Sequence, residues 1–295
     1  MEVVDQFIRY LHTEKRFSPH TTKAYRADLE QFLGYNGIAG SADDITAITN
    51  RQIRSWVMVL VDSKIAPASI NRKITSLRRF FRYCQQTGLM HNNPADLVSG
   101  LKSRKSLPVF VEKKPMGELI SGVNSAEDFP GVRNALIIEL LYGTGIRLSE
   151  LTGLRHRDVM LEKGQVRVMG KRSKERIIPA PGAVLELIVR YVDLKHELHD
   201  CSGEAPLLVT DKGSPLYPVF VYRLVRKLLE FAGNTGKNSP HVLRHTYATH
   251  LLNEGADLNA IKELLGHANL SATQVYTHTQ FEKLKGIYQK AHPRA

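Results

Sequence analysis

The sequence predicts a mainly α-helical chain with one small β-sheet, an α+β fold divided between two domains. Three observations predict it. Helix-period apolar stripes run through the first 95 residues. A basic stretch with two prolines, "HNNPADLVSGLKSRKSLPVFVEKK", interrupts them. Beyond it, a single alternating segment, "GQVRVMGKRSKERIIPAP", stands among further helical patterns. A chain of 295 residues, 42% apolar, has enough material for two ordinary cores.

The elements follow in order. "VVDQFIRYL" puts Val3, Val4, Phe7, Ile8 and Leu11 on one helical face. "SPHTTKAYRADLEQFLGYNG" opens on a Ser-Pro start signal and closes on glycine, a second helix. "RQIRSWVMVLVDS" is a third. "SINRKITSLRRFFRYCQQTG" is a fourth, with Ile70, Ile74, Leu77, Phe80, Phe81 and Cys84 spaced for burial. These make a helical domain over residues 1–95. Residues 96–111 read as an extended basic linker. The second domain, 112–280, is helical except for one hairpin. Val166 and Val168 alternate, the chain turns through Lys171–Lys174, and the pattern resumes at "RIIP". "DVMLEKGQ" supplies a third short strand. "GAVLELIVRYVDLKHEL", "YPVFVYRLVRKLLEFAG" and everything after Ser239 read as helix, with residues 281–295 as an amphipathic tail.

Charge narrows the partners. Lys and Arg number 41 against 29 Asp and Glu, a net charge of +12, which favours a polyanion and nucleic acid first. The N-terminal stretch carries Glu2, Asp5 and Arg9 inside any would-be apolar core, so it is no signal peptide. No apolar run approaches membrane-spanning length, since "ALIIELLYG" is broken by Glu139. Cys84 and Cys201 lie far apart without CxxC spacing and read as reduced thiols of a cytoplasmic protein. The helix "INRKITSLRRFFRYC" carries Arg72, Lys73, Arg78, Arg79 and Arg82 with no acidic residue. Its apolar stripe can pack while its basic side faces DNA or, equally on residues alone, solvent.

Several residue types suited to phosphate chemistry recur in the second domain. In "NSPHVLRHTYATHLL", Ser239 is a candidate N-cap, Pro240 the first helical residue, and His241 and Arg244 share a face of the opening turns. A helix N-terminus with an added guanidinium is an anion seat; a capping His beside a surface Arg is the alternative. Arg147 stands at a helix start in "LLYGTGIRLSEL", with Glu150 three residues on to orient it, or merely to pair with it at the surface. Lys171 at the hairpin tip, beside Arg172 and Lys174, can deliver a proton if neighbouring cations lower its pKa, or can be a solvated loop residue. His267 follows Gly266 at a helix end. Tyr276 lies nine residues later, as nucleophile or as a buried structural phenol. A zinc site built on His241, His245 and His267 is disfavoured by Arg244 beside it and by the lack of an HExxH glutamate.

Taken as an ordered set, Arg147, Lys171, His241-x-x-Arg244, Gly266-His267 and Tyr276 resemble the active-site signature of the tyrosine site-specific recombinases. "LLYGTGIRLSEL", "VRVMGKRSKERIIP" and "HVLRHTYATHLLNEGADLNAIKELLGHANLSATQVYTH" resemble the family's boxes throughout. Within the family the chain is most similar to the Xer type, from a helical domain beginning almost at Met1 to the ending "YQKAHPRA". One departure is visible. The hairpin turn, usually Gly-Lys-Gly in Xer proteins, is Gly170-Lys171-Arg172 here.

The resemblance implies an N-terminal DNA-binding helical domain and a C-terminal catalytic domain that clamp a specific double-stranded DNA site. It implies that Tyr276 attacks the scissile phosphorus, with Arg147 and Arg244 on the non-bridging oxygens. His241 and His267 hydrogen-bond the phosphate, Lys171 protonates the departing 5′-oxygen, and Glu150 supports. Neither metal nor cofactor is required. It further implies a homo- or hetero-tetramer on DNA coupled through the 281–295 tail, chromosome-dimer resolution in the cytoplasm, no membrane partner, and control by a septal DNA translocase. Integration of a mobile element, a catalytically idle DNA-binding protein of the same fold, and a type IB topoisomerase-like nicking and closing enzyme are the competing readings.

Overall fold

The computed structural model describes residues 2–102, 109–170, 175–234, 236, 238–266 and 286. The chain separates into two compact units, residues 1–106 and 107–295.

The first unit is helical. α1 (Glu2–Thr13), α2 (Pro19–Tyr35), α4 (Asn50–Asp62) and α5 (Pro67–Gln86) carry the four expected patterns; a short α3 (Ala42–Thr46) lies between them. Polar caps set the starts. Ser18 accepts from the Thr21 amide, and Ser41 with Asp44 and Thr49 with Gln52 form reciprocal capping boxes. The buried faces meet in an aromatic core where Phe7 packs edge-on against Phe80 and Phe32 edge-on against Trp56. Cys84 belongs to this core; burial pushes its thiol up to about 12, leaving an inert side chain.

The second unit is built around α7 (Phe129–Gly143), whose sequence is apolar on nearly every side and which is buried almost throughout. α6 (Lys113–Asn124), α9 (Gly182–His196), α10 (Pro218–Phe231) and α11 (Pro240–Asn253) pack on it. Asp128 caps α7 by accepting from the Gly131 amide. α8 (Leu148–Leu151) and α12 (Leu258–Leu265) are short. β1 (Val159–Met160), β2 (Gln165–Met169) and β3 (Glu175–Pro179) form one antiparallel sheet in the order β1-β2-β3. Its register pairs Val166 with Ile178 and Val168 with Arg176, so these four side chains share the inward face, and all are buried. No helix among the described residues is long and apolar enough to cross a membrane.

The fold class therefore matches the prediction, including the third strand at Val159–Met160. The run after Ser239 is not one helix: α11 stops at Asn253 and α12 begins at Leu258. Gly255, at φ +84°, sits in the break, where a residue with a side chain would be strained.

Candidate active site

The site starts from a turn. α7 ends at Gly143, and the Thr144 hydroxyl donates back to the Leu140 carbonyl at 2.6 Å. Gly145 follows at φ +61°, and a Cβ there would lie 2.6 Å from Cδ1 of Tyr247 on α11. Only glycine admits both the backbone conformation and that approach. The turn thus lies tight against α11 and delivers Arg147 immediately before α8. Glu150, three residues on and buried, accepts from the Arg147 amide through Oε2 and from Arg147 Nη1 through Oε1, both at 2.8 Å. The Arg147 side chain remains one-quarter exposed, and its Nη2 donates to the Gly266 carbonyl at 3.0 Å.

α11 supplies the second guanidinium. Pro240 occupies its first turn and Ser239 the N-cap position, although the Ser239 hydroxyl makes no capping bond. His241 is exposed in that first turn, and Arg244, one turn deeper, is buried. Arg244 donates through Nη1 to the Gly145 carbonyl and through Nη2 to the Leu265 carbonyl. Arg147 and Arg244 therefore hold adjacent carbonyls at the end of α12, and Arg244 also fixes the turn that presents Arg147. Gly266 closes α12 in the left-handed region at φ +63°, and His267 follows it in sequence.

The electrostatics are lopsided. Burial pushes the Glu150 carboxyl up, but hydrogen bonds and charge from Arg176, then Arg147, outweigh it and hold the group below its ordinary range. Burial, then the like charges of Arg147 and Arg176, bring Arg244 down to about 10. Three guanidiniums thus share one carboxylate. At neutral pH the cluster carries an excess of positive charge that a phosphate would relieve.

Lys171, Lys174, His267 and Tyr276 lie outside the described residues. No group of three or more His, Cys, Asp or Glu able to hold a metal occurs among the described residues.

The five basic residues of α5 are unequally available. Asp28 on α2, itself 1% exposed, receives Arg72 Nη1 and, at 3.0 Å, Lys73 Nζ. Lys73 also donates to Gln31 at 2.6 Å, and its side chain is 13% exposed. Arg78 donates to the main-chain carbonyls of Ala95 and Val98. Lys73 and Arg78 are thus committed inside the unit, because each finds an acceptor on a neighbouring segment. Arg72, Arg79 and Arg82 are exposed.

Arg176 and Lys195 are among the buried cations that escaped the sequence reading. Arg176 in β3 grips Glu150 through Nη1–Oε1 at 2.6 Å and Nη2–Oε2 at 2.8 Å. Its signal was parity, since it lies two residues from Ile178 on the inward face of a strand. Lys195 continues the Ile188–Tyr191 stripe of α9. Its Nζ lies 2.7 Å from His156 Nε2 and donates to the Pro206 carbonyl at 2.6 Å. Burial lowers the pKa of both Lys195 and His156.

Comparison with known proteins shows the family. Residues 110–283 match the phage integrase family, and residues 4–88 match the phage integrase N-terminal SAM-like domain. Tyrosine recombinase XerC of Pelobacter propionicus is 38% identical over 299 residues, covering 100% of this chain and 96% of that protein. Tyrosine recombinase XerC of Chlorobaculum parvum is 34% identical over 317 residues, covering 99% and 94%. Among solved structures, XerH site-specific recombinase in a post-cleavage complex with a palindromic difH substrate has the same fold. Its TM-score is 0.72, with 23% identity over 96% of this chain and 83% of that one. The chain belongs to the phage integrase family and is an Xer-type tyrosine recombinase, an enzyme that breaks and rejoins DNA strands.

Proposed function

We propose that the protein recombines duplex DNA at a specific site through a 3′-phosphotyrosyl intermediate, with Tyr276 as the nucleophile. The observation that carries this reading is the convergence of Arg147 and Arg244 on one turn and one helix end, with the buried Glu150 carboxylate held by Arg147 and Arg176. Such preorganised donors stabilise the charge that builds on the non-bridging oxygens of a pentavalent phosphorus. Tyr276 Oη forms a bond to phosphorus as the bond to the 5′-oxygen breaks. Lys171 gives that oxygen its proton, and His241 and His267 hydrogen-bond the phosphate and assist in taking the phenolic proton. A phosphodiester is exchanged for a phosphodiester, so rejoining by a partner strand's 5′-hydroxyl needs no external energy source and no metal.

Recombining two duplexes breaks four strands. One tyrosine per strand gives a tetramer, and we assign the 281–295 tail to protomer–protomer docking. Residues 1–95, with Arg72, Arg79 and Arg82 exposed, form the second DNA-binding surface, joined to the catalytic domain of residues 112–280 by the basic stretch 96–111, whose Val98 is buried in the core of the first unit and whose Val111 is buried in that of the second. Lys174 adds a contact from the catalytic domain. On the resemblance to the Xer type, the cell role we assign is chromosome-dimer resolution in the cytoplasm rather than service to a mobile element. A septal DNA translocase is the expected activator.

The test is covalent capture. The protein is incubated with fragmented DNA of its own genome, denatured in detergent, and the attached ends are sequenced. The expected result is a detergent-resistant adduct at one sequence near the replication terminus, abolished by Tyr276→Phe while site binding persists. An adduct that survives Tyr276→Phe would move the nucleophile elsewhere, and random ends would favour a topoisomerase-like activity.

A further inference from the structure

Arg176 occupies the second position of β3, just beyond the 171–174 connection that carries Lys171. Opposite Val168 and in step with Ile178, it points inward and is 6% exposed. A side chain so enclosed is poorly placed to contact a DNA phosphate, so any part it has in the reaction goes through its neighbours.

Those neighbours are specific. Arg176 holds both oxygens of Glu150, at 2.6 and 2.8 Å, and the same two oxygens hold the Arg147 amide and guanidinium. A carboxylate held along one edge can still turn about its terminal bond. Gripped also by a fork of two N–H groups, it has one orientation, and Arg147 inherits it. Arg176 also runs beneath the end of α12. A Cβ on Gly266 would stand 3.1 Å from Arg176 Cδ and 3.3 Å from its Nε, while Gly266 gives its carbonyl to Arg147. The strand after Lys171, the turn before α8 and the helix end before His267 therefore meet on one side chain. Its Nε finds no hydrogen-bond partner among the described residues, so the fork to Glu150 is its polar purpose.

We propose that Arg176 is a positioning residue for strand cleavage: by fixing Glu150 it sets the geometry in which Arg147 meets the phosphate, and it ties β3 to the end of α12. This rests on the recombinase reading above.

The test uses the full chain and a nicked duplex built on the sequence obtained by covalent capture, which traps the cleaved adduct. Arg176→Ala should bind that duplex with wild-type affinity but form adduct about 100-fold more slowly at saturating DNA, as a misplaced catalytic donor does. Arg176→Lys, which restores charge and one hydrogen bond, should recover part of the rate. Arg176→Ala combined with Arg147→Ala should be no slower than Arg147→Ala alone, because both remove one unit. A methylphosphonate at the scissile position, with one charge fewer, should shrink both single defects together. Wild-type cleavage by Arg176→Ala, or defects that multiply in the double variant, would overturn the proposal. Should Arg176→Ala melt below the assay temperature, Arg176→Lys decides alone: slower cleavage at unchanged affinity supports it, and wild-type cleavage overturns it. Absence of adduct from the wild-type protein would instead defeat the recombinase reading.

Discussion

Among the described residues, each unit holds a buried carboxylate gripped by cations, Asp28 in the first and Glu150 in the second, and the two clusters are built for different ends. In the first, Asp28 on α2 receives Arg72, Lys73 and the Ser76 hydroxyl, all from α5. One helix meets one helix, Arg72 is half exposed, and the cluster is a staple between neighbours. In the second, Glu150 receives Arg147 from a turn and Arg176 from a strand, and Arg244 from α11 closes over the same turn. Three distant segments converge, and their guanidiniums outnumber the acid. The same ingredients give a joint when they come from one interface and water can reach them. They give a phosphate seat when they converge in a buried place and leave charge over.

The largest effect expected from this contrast is on folding. Glu150→Ala leaves buried guanidiniums without a counter-charge and should destabilise the second unit by about 3–5 kcal/mol, with loss of cleavage. Asp28→Ala frees Arg72 to water and lets Lys73 follow, and should cost the first unit about 1–3 kcal/mol. Urea melts of the two variants measure both. Equal losses would erase the distinction between joint and seat.

That contrast also marks what was legible in the sequence. Helix periods and caps disclosed α1, α2, α4 and α5, and strict alternation disclosed the sheet, because these signals depend on residues near in sequence. α3, with five residues, is too short to show a period. Arg147 and Glu150 were readable as an i, i+3 pair, and His241 with Arg244 as a face of a helix start. Arg176 was not, because its partner lies 26 residues away and only the sheet register brings them together. The bonds of Arg78 were hidden for the same reason: its acceptors at Ala95 and Val98 sit on the chain that follows α5, and a count of charges on a helix does not include them.

A smaller effect sharpens the comparison through pH. The Glu150 carboxyl is held below its ordinary range in the fold, so the stability it contributes is fully present above the unfolded-state value near 4.5 and is lost as pH falls through the folded-state pKa. Wild type and Glu150→Gln should therefore differ most at neutral pH, and the gap between their urea midpoints should narrow as pH is lowered from 7 to 3. A gap that stays constant would mean that the ion pairs to Arg147 and Arg176 contribute no pH-dependent stability.

The smallest effect on folding is expected at Arg82, and it separates contact with DNA from contact within the unit. Arg82 is exposed on the helix whose Arg78 is tied to carbonyls. Arg82→Ala keeps a good helix former on a surface position and should change stability by no more than about 0.5 kcal/mol. If Arg82 neutralises one phosphate, the slope of log affinity against log salt should become shallower by about one, equally for specific and random duplexes. Arg78→Ala should do the reverse, lowering the melting midpoint of the first unit and leaving the salt slope alone. Salt titrations of both variants decide it. A shallower slope for Arg78→Ala with none for Arg82→Ala would assign the DNA contact to the tied residue and exchange the roles drawn here for the two ends of one helical turn.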